Sequence, residues 1–301
     1  MKKNNYYLGI TTILIIVLSL TGCATAGKKM SKAPVAEKKT VETSPSAEPS
    51  AEKSKVEKKA TQAPVVKKIY LIKNQTVYFP DGTIDTIKEY SYDENGNLIE
   101  EIQKTPNNEI LSEIKFIYTD GYLHKKIVYN EKGEILTYYV YDCNDGKLSS
   151  VTQFDSKDNI QTVSKYKYDS AGNKTLWEVY DGKGIKMAFT RYYYNDSKVV
   201  KKEIYGADNS LESYIEIIYS DDKKIKEVYY NSQGTIEKYV KYNYSNDLLK
   251  NELYYKASGD IIRTISYKYD SNKNVIEMVI KNGNGDLIEK IEKNYIVFDK
   301  K

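Results

Sequence analysis

The chain has 301 residues, is 29% charged and 40% hydrophobic, and carries a formal net charge of +4. That length allows a sizeable core, and the mixed charge lacks the concentrated basic face of a nucleic-acid binder. A single histidine, His124, excludes metal sites built on several imidazoles, and two cysteines exclude a disulfide scaffold. Thirty-one tyrosines against five Phe and one Trp are the compositional anomaly.

Residues 1–22 have the form of a targeting segment. Lys2 and Lys3 give a basic start, and Leu8 to Leu20 an apolar run too short for a routine membrane span. The run ends in Leu20-Thr21-Gly22-Cys23, which resembles the bacterial lipobox. That resemblance implies cleavage before Cys23, lipidation of its sulfur and amine, and a durable membrane anchor. Ala24 stands where an Asp would resemble an inner-membrane retention signal, so an outer membrane or cell surface is the favoured location.

Residues 23–66 read as a disordered tether. From 24 to 66 there is no Tyr, Phe or Trp, and four of the six prolines (Pro34, Pro45, Pro49, Pro64) fall here among Lys, Glu, Ala, Ser and Thr. Such a stretch cannot bury enough apolar surface to order itself. Residues 24–68 hold eleven Lys against five Glu, whereas the remainder of the chain after position 68 is slightly acidic.

From 67 to 301 the chain repeats. Tyr92-Asp93-Glu94-Asn95-Gly96-Asn97 returns as Tyr168-Asp169-Ser170-Ala171-Gly172-Asn173, as Tyr230-Asn231-Ser232-Gln233-Gly234, and without Gly as Tyr269-Asp270-Ser271-Asn272-Lys273-Asn274. Residues preceding the polar turns are mostly aromatic, Phe79 and Tyr141 among them, and from Tyr180 onward they alternate in spacing to make a 25-residue double unit. Asp or Asn followed by Gly three residues on is type I turn chemistry closed by a left-handed residue. The intervening Ile-, Val-, Thr- and Tyr-rich segments suit strands and are too short for helices. Alternation puts Ile160, Thr162, Ser164, Tyr166 and Tyr168 on one face, likewise Ser213, Ile215, Ile217 and Tyr219, and Lys238, Val240, Tyr242 and Tyr244. Around Lys202 to Tyr205 it supports no clear face. The expected fold is all-β: an elongated antiparallel meander of about 17–18 strands, solenoid-like or a coiled single sheet, with a two-layer sandwich as the alternative.

The Tyr-Asp-x-x-Gly-x-Leu pattern over residues 79–295 resembles the YD repeats of bacterial Rhs-type proteins. The resemblance implies a β-meander and transfers no functional residue.

Chemistry-bearing constellations are sparse. Asp181-Gly182-Lys183-Gly184 sits at a turn position rather than in a phosphate loop, and the acidic turns follow no calcium-loop pattern. Cys143 reads as a tolerated turn substitution. No cofactor or metal is expected, and the chain does not read as an enzyme. The tyrosine columns are the candidate site, with Tyr242, Tyr244, Tyr267 and Tyr269 as a binding platform if they face solvent, or as core if they face inward. The sequence thus predicts a lipid-anchored envelope protein presenting a non-catalytic β-repeat domain for adhesion or binding. Its expected partners are the membrane, and cell-wall or host polysaccharide or a surface protein, but not nucleic acid. A passive spacer, or less plausibly a carbohydrate-active enzyme, are the alternatives.

Overall fold

The computed structural model describes residues 67–300, so the leader, Cys23 and the tether lie outside the described residues. Eighteen strands follow one another without a helix. They are β1 (Lys67–Tyr78), β2 (Ile84–Tyr92), β3 (Leu98–Lys104), β4 (Ile110–Thr119), β5 (Tyr122–Asn130) and β6 (Ile135–Asn144). Next come β7 (Lys147–Asp155), β8 (Ile160–Tyr168), β9 (Lys174–Asp181), β10 (Lys186–Asn195), β11 (Lys198–Gly206) and β12 (Leu211–Ser220). The last are β13 (Lys223–Asn231), β14 (Ile236–Ser245), β15 (Leu248–Lys256), β16 (Ile261–Tyr269), β17 (Val275–Asn282) and β18 (Leu287–Lys300).

Each strand pairs antiparallel with its successor, as the repeat predicts, and β18 also pairs with β1 from Lys67↔Lys300 to Tyr78↔Lys290. The sheet therefore closes into a barrel. This corrects the elongated solenoid or open coiled sheet: accumulated twist brings the first strand to the last, and closure removes both free edges. Elements in contact are always ring neighbours, which also rules out the two-layer sandwich among the described residues. Eighteen strands ~4.8 Å apart and tilted ~40° give a backbone ring roughly 35 Å across, wider than side chains can fill.

The turns divide between two rims. The far rim carries turns such as Asn231–Thr235, where Asn231 Oδ1 accepts the amides of Gln233 and Thr235 and Gly234 takes φ +81°. The near rim, where β1 begins and β18 ends, includes five tight turns opening on Asp120, Asp145, Asp196, Asp221 or Asn246 at φ +49° to +54°. Short polar side chains tolerate this left-handed region, which explains Asp and Asn in the repeat. β1 and β18 extend past the near rim, and the Phe298 ring covers Gly96, where a Cβ would come within 3.1 Å.

Two register assignments change. Tyr78, not Phe79, ends β1, and Cys143 lies within β6 opposite Leu148 rather than in a turn. Cys143 therefore occupies the repeat position that Tyr141 seemed to hold, and with it the 25–26-residue double unit runs through every even strand.

Candidate functional site: the inner wall

Inward faces follow the sequence alternation on β8, β12 and β14, and register carries the assignment around the ring. Near the near rim, tyrosine hydroxyls tie every even strand except β6, which carries Cys143 there, to the carbonyl twenty residues earlier. Tyr92 donates to Ile72 at 2.8 Å, Tyr168 to Leu148 at 2.8 Å, Tyr194 to Lys174 at 2.8 Å, Tyr244 to Lys224 at 3.0 Å and Tyr295 to Val275 at 2.8 Å. Tyr118, Tyr219 and Tyr269 repeat the contact. These rings pack while their hydroxyls satisfy carbonyls, a role Phe cannot fill.

One layer deeper, equivalent positions on odd strands carry Glu101, Lys126, Val151, Trp177, Lys202, Glu227, Glu252 and Met278. Glu227, 9% exposed, accepts from Tyr229 at 2.9 Å, Tyr242 at 3.1 Å and Lys224 at 2.9 Å. Burial alone would raise its carboxyl. The Lys224 hydrogen bond and charge, the Tyr229 hydroxyl and the Lys202 charge outweigh burial and hold it below the usual range. Glu252 is boxed in the same way by Tyr254 at 2.6 Å and Tyr267 at 2.7 Å. Burial and then the Glu252 hydrogen bond push the Tyr254 hydroxyl up to about 12.

The four candidate tyrosines are thus all on the inner wall. Tyr242 and Tyr267 serve the carboxylates, and Tyr244 and Tyr269 the carbonyl ladder. The structure brings them together on β14 and β16, facing the lumen.

Sequence reading missed the lysines. Lys126, Lys174, Lys202 and Lys293 face inward, and none makes an ion pair among the described residues. Lys126 is 9% exposed and rides 4.1 Å over Tyr139; Lys174 lies 4.7 Å over Tyr192. Burial lowers the ammonium pKa at all four positions. A further layer down, the odd strands carry Val128, Val179, Ile204 and Ile280 together with Gln103, Gln153, Tyr229 and Tyr254, and Ile215, Val240, Ile265 and Ile291 face inward from even strands.

The outer face is different. Stacked pairs Tyr138–Phe154, Phe189–Tyr205, Tyr214–Tyr230 and Tyr239–Tyr255, with centroids 4.5–4.7 Å apart, are flanked by Lys125, Lys201 and Lys226. Mid-strand ion pairs ring the outside: Lys104–Glu89, Lys115–Glu113, Lys186–Glu178, Lys201–Glu203, Lys268–Glu277 and Lys290–Glu292, each 2.6–2.8 Å. A lipid-spanning barrel needs the reverse, an apolar band ~25 Å tall outside and polar groups within. A recess of about 380 Å³ near the rim, between the turns after β10 and β12, is lined by residues including Asn195, Asp196, Lys198, Tyr219 and Asp221.

No family model and no curated protein matches the sequence. Among solved structures, the chain is similar to a porin-like protein from Bacteroides uniformis ATCC 8492 at 13% identity and TM-score 0.43, covering 75% of this chain and 97% of that one. A porin-like protein from Bacteroides vulgatus ATCC 8482 gives 9% identity and TM-score 0.32, over 75% and 98%. The TcdB2-TccC3-Cdc42 structure gives 11% identity and TM-score 0.31 over 72% of this chain, which spans 14% of that chain. Likenesses this weak carry no argument about activity or placement.

Proposed function

We propose that the protein is a lipid-anchored envelope protein whose barrel stands in water on its tether and binds a ligand within the lumen, without catalysis. The observation that supports this most is the inner wall: half-buried aromatic and aliphatic side chains and lysines without ion pairs line a cavity too wide for them to fill, while outside, ion pairs stand among exposed residues such as Ile117, Leu136 and Ile218. A concave wall that sets apolar side chains beside a few cationic groups is the kind of surface that marks a ligand site. The near rim is the end at which β1 begins, and so the end nearest the tether along the chain.

The test is a binding screen with the full-length chain against cell-wall polymers, glycans and membrane lipids. Saturable binding that weakens in Tyr192→Ala and survives removal of the outer pair with Tyr239→Ala supports the lumen reading. A cooperatively folded protein that binds nothing in the screen returns the chain to the spacer reading.

A further inference from the structure

On three adjacent strands the inner wall gathers hydrogen-bond donors that lack acceptors. Lys174 and Lys202 make no ion pair among the described residues; burial lowers both ammonium pKa values, the Lys202 charge adds to the depression at Lys174, and at Lys202 the Glu227 charge opposes it while Lys224 adds to it. Trp177, the chain's one tryptophan, has a buried Nε1 with no hydrogen-bond partner. Register places the three together: Tyr166↔Trp177↔Thr190 runs across β8 to β10, Tyr168↔Lys174 lies toward the near rim, and Tyr192↔Lys202 joins β10 to β11. Lys174 lies between the rings of Tyr166 and Tyr192, at 5.5 and 4.7 Å, so aromatic faces partly compensate its charge but supply no oxygen. A buried indole N–H without an acceptor is costly and asks for an explanation. Val179, Ala188 and Ile204 lie immediately deeper on the same strands, Thr190 stands between Trp177 and Ile204, and Ile215 lies opposite Lys202.

We propose that this arc of the lumen, over β9 to β12, holds an anionic amphiphile, with its phosphate or carboxylate head at Lys174, Trp177 and Lys202 and its hydrocarbon along Val179, Ile204 and Ile215. The inference rests on the lumen-binding reading and adds the ligand's class and orientation. The head lies toward the near rim, and the tail deeper. A glycan would leave its hydroxyls against aliphatic side chains, at a cost per unpaired group that a hydrocarbon does not incur.

Trp177 is its own reporter. Full-length protein made with Cys23→Ser, so that no attached acyl chain competes, is titrated with dioctanoyl phosphatidylglycerol, dioctanoyl phosphatidylcholine and inorganic phosphate, following tryptophan emission and heat. The expected result is saturable binding of phosphatidylglycerol at least roughly tenfold tighter than of either other probe, with Lys174→Met/Lys202→Met removing that preference. Trp177→Phe, read by heat alone, should weaken phosphatidylglycerol and spare phosphatidylcholine. Equal binding of both lipids overturns the head-group assignment and leaves the lumen reading standing. Phosphate binding as tightly as phosphatidylglycerol makes this a free-anion site and overturns the amphiphile. No binding of any probe to folded protein overturns the site, and the screen described above then decides the lumen reading separately.

Discussion

Two arcs of one ring use the same repeat position for opposite ends. On β13 and β15 the position is Glu227 or Glu252, and the next residue inward along the strand and the next even strand both supply tyrosine hydroxyls, so every charge is met. On β9 and β11 the position is Trp177 or Lys202; Trp177 Nε1 finds no hydrogen-bond partner although Tyr166 and Thr190 lie opposite, and Lys202 forms no ion pair among the described residues and has only the charge of Glu227 in its favour. A repeat fixes backbone and register everywhere alike. What differs is whether the side chains at one depth complete each other, and the proposed ligand is assigned to the arc where they do not.

The sharpest way to break that comparison is to remove a charge from each arc. Glu227→Ala strands Lys224 and two hydroxyls in a crowded wall and should cost about 3 kcal/mol in urea unfolding. Lys202→Met removes a desolvated ammonium that forms no ion pair and has only the Glu227 charge in its favour, so it should cost far less; equal losses would mean the two arcs do not differ. Acid offers the next largest contrast. Because the folded Glu227 carboxyl is depressed, its contribution is complete above its unfolded value of ~4.3 and disappears as pH falls through the lower folded value. Melting curves between neutral and strongly acidic pH should therefore drop less steeply in Glu227→Gln than in the parent. Smaller still is the ladder: Tyr244→Phe deletes one hydroxyl from the Lys224 carbonyl and should cost ~1 kcal/mol, with the ring's packing kept. Outside, Tyr239→Ala loses a stacking partner at the surface, and a shift in urea midpoint worth ~0.5–1.5 kcal/mol is expected without any change in lumen binding.

Much of the fold was legible because its causes are local. Asp, Asn and Gly mark turns, β-branched and aromatic runs mark strands, and period-two alternation on β8, β12 and β14 already separated the two faces of the sheet. Closure was not legible, since no residue encodes it: it emerges from twist and stagger summed over eighteen strands. The tyrosines at 242, 244, 267 and 269 were found by their abundance, although their inward direction needed the closed ring. Lys174 and Lys202 were hidden because a lysine in a lysine-rich strand reads as solvated surface, and β11 offered no clean alternation. Stepping Glu227 back by 25 residues lands on Lys202 and would have placed it on the same inward layer.

The pairing of β1 with β18 joins residues separated by almost the full length of the domain, as in the Asn74–Asn294 side-chain hydrogen bond. Hairpins can form as the chain emerges, but the ring cannot seal until the last strand arrives, so sealing is the slow, high-contact-order step. Until then the growing sheet presents two unpaired edges and its apolar inner face. The vulnerable moment for this protein is thus its assembly, before β18 arrives, and loss of a few C-terminal residues should harm its yield far more than equal losses from any turn.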